Sequence, residues 1–244
     1  MQAITMVSRE KNRMHQQYRI DSQQTQAVVN AGMHAEFEAR QVACLKGRRY
    51  LFSNIHIQLH AGHALYVRGS NGSGKSSLLR ILCGLASPAR GAVFWQGTPV
   101  QKIREDFHQH LLFLGHANGI KDDLLAWENI AFNARLAGQH CTYATACAAL
   151  KAMGLLQIAL LPAGQLSQGQ RKRLALGRLY LPDLPRLLIL DEAFSALDQK
   201  ATTALTVILD AHLQQGGMLI YTTHQDIVLQ APAHQELWLG VASC

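Results

Sequence analysis

Gly69-Ser70-Asn71-Gly72-Ser73-Gly74-Lys75-Ser76 decides how the rest of this 244-residue chain is read. The run fits G-x-x-x-x-G-K-[ST]. In that pattern glycines let backbone N–H groups curl around phosphates, the lysine reaches the β- and γ-phosphates, and the last hydroxyl faces Mg²⁺. The surroundings are those the pattern needs. Ala64 to Arg68 is a short apolar strand after a turn at Gly62, and Ser77 to Cys83 repeats with helical period up to Gly84, a ready left-handed C-cap. Gly69 to Ser77 therefore reads as a nucleotide-phosphate site, with Lys75 acting in catalysis and Ser76 as a metal ligand.

Upstream, Glu38 to Lys46 and Asn54 to His60 alternate apolar and polar residues, as half-buried strands do. Downstream come a turn at Ser87 to Gly91 and a short strand from Ala92 to Gln96. Asp123 to about Leu161 is helical, with alanine-rich stretches at Ala126 to Ala137 and Tyr143 to Met153. The pattern then predicts a helix from about Gly169 to Leu181, a buried strand from Leu187 to Asp191, a helix from Gln199 to Gln214, a stop at Gly216-Gly217 and a buried strand from Met218 to Thr222. Strands alternating with helices imply an α/β fold with a mostly parallel sheet.

Apolar residues make up 48% and charged residues 16%, a balance that supports a packed core and excludes a disordered chain. Lysine and arginine outnumber acids 23 to 16 without any run of five like charges, so the excess reads as a solvated surface. The five cysteines are odd in number and contain no C-x-x-C pair, which argues against a disulfide framework or a zinc knuckle and for free thiols in a reducing compartment. No apolar stretch reaches eighteen residues without interruption, so the chain is not expected to span a membrane itself. Residues 1–35 are rich in Gln, Arg and Met and read as a disordered extension. Domain pattern begins just after Met33, which reads as the translation start; Arg9, Lys11, Arg13 and Arg19 leave an organellar transit peptide as the alternative.

Two further segments carry chemistry. Leu187 to Asp191 is a buried strand ending in Asp191-Glu192, which sets Asp191 at the carboxyl edge of the sheet to hold Mg²⁺ and Glu192 beside it to polarise an attacking water. Leu166-Ser167-Gln168-Gly169-Gln170 opens a basic helix, so a hydroxyl and backbone amides sit at a positive helix end. By itself this is equally an N-cap serine with a flexible glycine.

With the phosphate loop, Leu166 to Gln170, Asp191-Glu192, Ser195-Ala196-Leu197-Asp198 and His224 in this order, the chain from Glu38 onward resembles ABC-transporter nucleotide-binding subunits. The resemblance implies an ABC ATPase domain over residues 36–244: a mostly parallel core, an antiparallel β subdomain and a helical subdomain inserted at about 117–165. It implies ATP and Mg²⁺ as ligands and a head-to-tail homodimer in which Ser167, Gly169 and Gln170 meet the γ-phosphate of the partner's ATP. Asp198 would couple the two sites, and His224 would bind the γ-phosphate and orient the water. Where the family usually has a metal-sensing glutamine this chain has His116. Tyr50 is the nearest residue for stacking on adenine.

Leu112 to Lys121, Gln170 to Leu179, Glu192 to Asp198 and Gly217 to Gln225 look like the ATP-binding subunits of cytochrome c maturation systems, the haem exporters. That resemblance implies a subunit on the cytoplasmic face of the inner membrane, paired with multi-span membrane subunits. It would power haem export or release of a haem-loaded chaperone, with no nucleic acid among its partners. Trp127 would receive a helix of the membrane partner, or else pack in the core. The alternatives are another ABC transporter, or a soluble ABC ATPase acting on DNA, ribosomes or iron–sulfur assembly; a small-molecule kinase would leave Leu166 to Gln170 unexplained.

Overall fold

The computed structural model describes residues 35–115, 119–195 and 197–240. The expected N-terminal extension, apart from its last residue, and His116 lie outside the described residues.

Strands β1 (Phe37–Lys46) and β2 (Arg49–Leu59) form a hairpin that turns at Gly47, φ 63°. β2 starts five residues before the alternation from Asn54, because pairing with β1 (Cys44 opposite Phe52, Leu45 opposite Tyr50) holds residues whose own pattern is irregular. β3 (His63–Gly69) runs into the phosphate loop and then helix α1 (Lys75–Leu82). After β4 (Arg90–Trp95) and β5 (Thr98–Pro99) come α2 (Arg104–Gln109), for which the sequence holds no clear period, and β6 (Leu111–Leu114).

The next elements are α3 (Ala126–Leu136), α4 (Tyr143–Ala152) and α5 (Gln168–Ala175). The helix expected to reach Leu181 ends at Ala175 and tightens into a 3₁₀ turn, Gly177–Tyr180. Gly177 packs so closely on α3 that a Cβ there would lie 2.8 Å from Ile130 Cγ1, a tertiary constraint that periodicity does not reveal. The chain closes with β7 (Leu187–Asp191), α6 (Gln199–Gln214), β8 (Met218–Thr222) and β9 (Ala233–Leu239).

Two sheets result. One is antiparallel, in the order β2-β1-β4-β5; the other is parallel, in the order β6-β7-β8-β3-β9. α1 lies in the core between them, where Leu78, Leu79 and Leu82 meet Phe37, Phe52 and Leu59 from one sheet and Ile189 and Ile220 from the other. α6 covers the opposite face of the parallel sheet with Leu205, Leu209 and Leu213. Covered on both faces, β7 and β8 are buried at every residue, hence their unbroken apolar sequences. A third cluster joins α3 and α4 to Leu174 and Leu181; Trp127 packs against it and meets Tyr143 edge-on at 5.1 Å. Among the described residues no helix is long and apolar enough to cross a membrane.

Candidate active site

All five strands of the central sheet run parallel, so β3 and β7 deliver their carboxyl ends to one edge. At the end of β3 the loop from Gly69 to Gly74 turns through three positive-φ glycines: Gly69 (149°), Gly72 (81°) and Gly74 (102°). Two of them are also closely packed. A Cβ at Gly69 would meet Ser73 Oγ at 2.5 Å and the Leu239 carbonyl at 2.6 Å, and one at Gly74 would lie 3.1 Å from the Phe52 ring. Phe52 thus props the loop from the antiparallel sheet, and Leu239 from β9.

α1 opens at Gly74 without a side-chain cap, which leaves its first N–H groups for an anion. Lys75 Nζ donates to the carbonyls of Gly69 (2.8 Å) and Ser70 (3.4 Å), and so stretches over the loop. Ser73 Oγ is buried without a hydrogen-bond partner, an orphan that an added oxygen would satisfy. Ser70, Asn71, Gly72 and Ser76 are exposed, and Ser77 is partly so.

At the end of β7, Asp191 is buried and accepts a hydrogen bond from Thr222 Oγ1 on β8 (2.8 Å). The same hydroxyl accepts from the Glu192 N–H at 2.9 Å. Glu192 itself has φ 57°, a conformation that costs a non-glycine residue about 1–3 kcal/mol and clusters at functional sites. Its carboxylate lies 3.1 Å from His224 Nε2, the imidazole being 60% exposed and the carboxylate 16%. Ser195 Oγ donates to the Glu192 carbonyl at 2.7 Å and braces the loop after β7, and Gln225 Nε2 donates to the Phe194 carbonyl at 3.0 Å and ties that loop to the one that carries His224. Behind Asp191, burial and then the Asp191 charge push the Cys83 thiol well above its ordinary pKa, so it stays protonated.

Ser167 caps α5. Its Oγ accepts from Gln170 N–H (3.2 Å) while Gln170 Oε1 accepts from Ser167 N–H (2.9 Å), a reciprocal box that presents the helix end outward. Nothing lies within 4 Å of a Cβ placed on Gly169, so this face is open. Asp198 caps α6 through a 2.8 Å bond from Ala201 N–H. Tyr50 is exposed on β2, two residues from the Phe52 ring under Gly74.

The structure thus assembles Asp191, Glu192 and His224 into one cluster on the edge that carries the phosphate loop. It leaves Ser167, Gly169 and Gln170 on a separate, outward-facing helix end. Thr222 and Gln225 lie in the stretch Gly217 to Gln225 that carries the resemblance, but their supporting roles have no local signal in the sequence, since their partners lie about thirty residues away.

Ser76 and Asp191 are hard oxygen donors, the kind that suits Mg²⁺ bound through one or two protein groups and phosphate oxygens. Together with the orphan Ser73 hydroxyl and the uncapped helix start, the site fits a metal–nucleotide.

The sequence profile of the family described as ABC transporter matches residues 52–195, more than half of the chain. A protein of Nitrosomonas europaea named cytochrome c biogenesis ATP-binding export protein CcmA is 46% identical over 202 residues, 83% of this chain and 94% of its own. A protein of Nitrosospira multiformis with the same name is 44% identical over 202 residues, 83% and 98% of the two chains. Among solved structures, MJ0796, described as a dimeric bacterial ABC transporter cassette, superposes with a TM-score of 0.71 over 85% of this chain and 97% of that one; at 21% identity the likeness is one of fold.

Proposed function

Since the chain belongs to the ABC transporter family, among the cytochrome c biogenesis ATP-binding export proteins, we propose that it is the ATP-hydrolysing subunit of a membrane complex for cytochrome c maturation. The observation that carries the catalytic half of this reading is the Thr222-anchored Glu192. Its strained backbone aims the carboxylate at His224, on the sheet edge shared with the phosphate loop.

The ATP phosphates lie in the loop from Gly69 to Ser77, held by its amides and by Lys75, which leaves the Gly69 and Ser70 carbonyls for the β- and γ-phosphate oxygens. Ser76 and Asp191 would hold Mg²⁺, which would neutralise phosphate charge when bound, and His116 would take the metal-sensing position that the family resemblance gives it. Glu192 accepts the proton of the attacking water, and His224 orients that water and the γ-phosphate. Tyr50 stacks on adenine.

Two copies pair head to tail, so that the open helix end of Ser167, Gly169 and Gln170 closes over the partner's nucleotide and Asp198 couples the two sites. The nucleotide-binding domain spans residues 36–244. Its helical subdomain, at about 117–165, meets multi-span membrane subunits around Trp127 on the cytoplasmic face of the inner membrane. Hydrolysis lets the pair reopen and powers haem export or release of the haem-loaded chaperone.

The test is ATPase activity of the membrane-extracted complex for wild type and Glu192→Gln, with holocytochrome c followed in the same cells. Glu192→Gln is expected to keep nucleotide affinity, lose turnover by about 10²-fold or more and abolish cytochrome maturation. Lost turnover with normal cytochromes would leave the ATPase in place and remove the maturation role.

A further inference from the structure

The strands that lead to the two halves of the site part just before they reach it. β3 and β8 pair through Ala64–Leu219, Leu65–Ile220 and Tyr66–Tyr221. Beyond that pair β3 stays with β9 as far as Gly69–Leu239, and β8 stays with β7 as far as Thr222–Asp191. One branch of the fork runs into the phosphate loop; the other runs into Thr222, which anchors Glu192, and on to His224. The Tyr66 side chain spans the fork, its hydroxyl donating to the Thr223 carbonyl at 2.9 Å.

The ring that carries this hydroxyl is itself held. It stacks on Tyr221 at 4.9 Å with the planes 8° apart, and the Arg68 guanidinium lies over it at 4.8 Å. The Tyr221 hydroxyl is engaged with His234 Nε2 on β9 at 2.9 Å, so of the two stacked phenols it is Tyr66 that holds the loop. The carbonyl it grips belongs to the peptide unit that ends in the His224 N–H. That unit is planar, so fixing its oxygen limits the directions in which His224 can leave β8. On the far side of His224 the Gln225 N–H donates to Thr223 Oγ1 at 3.0 Å, and the Gln225 side chain is bonded to the Phe194 carbonyl. The imidazole is exposed beside the Glu192 carboxylate, yet the backbone is fastened both before and after it.

We infer that Tyr66 is a positioning residue for His224: its hydroxyl, holding the Thr223 carbonyl across the fork between β3 and β8, sets the imidazole's place against Glu192 and the γ-phosphate. This rests on the reading of His224 given under the proposed function. Tyr66 lies on the strand that ends at Gly69, so a shift of the phosphate loop or of the histidine loop is passed to the other through this bond. A group that orients reactants acts through distance and angle. Loss of the bond therefore slows the chemical step and leaves the phosphate loop's own hold on ATP intact.

The test is ATP turnover of the membrane-extracted complex for wild type, Tyr66→Phe, Tyr221→Phe, His224→Ala and the double variant Tyr66→Phe/His224→Ala, with the urea midpoint of each chain alongside. Tyr66→Phe keeps the stacked ring and removes the hydroxyl. Its kcat is expected to fall about two- to tenfold, the worth of one net hydrogen bond, with KM for ATP unchanged. Tyr221→Phe removes the neighbouring hydroxyl of the same stack and should keep the wild-type kcat whatever it does to the urea midpoint. On the His224→Ala background Tyr66→Phe should change kcat no further, as expected of two residues acting as a unit. No loss from Tyr66→Phe, an equal loss with and without His224, or an equal loss from Tyr221→Phe overturns the inference alone. A His224→Ala complex that turns over at the wild-type rate overturns the reading of His224 and the inference with it.

Discussion

At the scale of single residues, Thr222 carries more than its size indicates. One hydroxyl donates to Asp191 and accepts from the backbone of Glu192, so both acids share a support on the neighbouring strand. Thr222→Val keeps the shape and removes the hydroxyl, leaving a buried carboxylate oxygen and an N–H unpaired at a cost of about 1–3 kcal/mol. It should lower the urea midpoint and reduce kcat more than it raises KM for ATP, because Glu192 loses its anchor while the phosphate loop does not. Thr222→Ser should restore both. The phosphate loop, Asp191 and Glu192 were legible because each lies in a local pattern of strand, turn or helix start, and His224 was legible through the family resemblance alone. The supporting roles of Thr222 and Gln225 were not, because each acts on a residue about thirty positions away.

At the scale of elements, β1 is irregular where it meets β4. Its register shifts between Arg40 and Ala43, with Gln41 at φ 53°, and Gly91 fills the gap so tightly that a Cβ there would lie 2.3 Å from the Arg40 carbonyl oxygen. Gly91 itself has φ 79°. Gly91→Ala combines backbone strain with overlap against main chain and is expected to destabilise by more than about 2 kcal/mol, measured as a fall in denaturant midpoint. Gly97→Ala, with nothing within 4 Å of the added methyl, should suffer only the strain of its positive φ. The same contrast explains which elements were readable. β7, β8 and α6 declare themselves through long apolar or periodic runs. β9, Ala-His-Gln-Glu-Leu-Trp-Leu, is an edge strand with only Leu237 and Leu239 buried, and its pairing with β3 from end to end is what holds it in the sheet. α2 is six residues long without a side-chain cap, too short for a period to emerge.

At the scale of the whole molecule, three histidines make stability depend on pH. Burial lowers the pKa of His63, His212 and His234; a neighbouring His60 adds to this at His63 and Arg186 at His212, while Glu236 opposes it at His234. The folded state therefore keeps them neutral in a window where the unfolded chain, with an ordinary histidine value near 6.5, takes up protons. Stability is held above that value and lost as the pH falls through it. The urea midpoint should drop between pH 7.5 and 5.5, and His212→Gln should flatten that fall. The order β6-β7-β8-β3-β9 also bears on how the protein is made. β3, the strand that carries the phosphate loop, takes both its neighbours from the last thirty residues: β8 and β9. During synthesis on the ribosome it must wait, apolar and unpaired, until nearly the whole chain has emerged, a state that invites aggregation and calls for chaperones. The wall that Leu239 gives to Gly69 arrives last of all. A nascent chain cut short therefore cannot hold nucleotide, so only finished copies are fit to join an assembly.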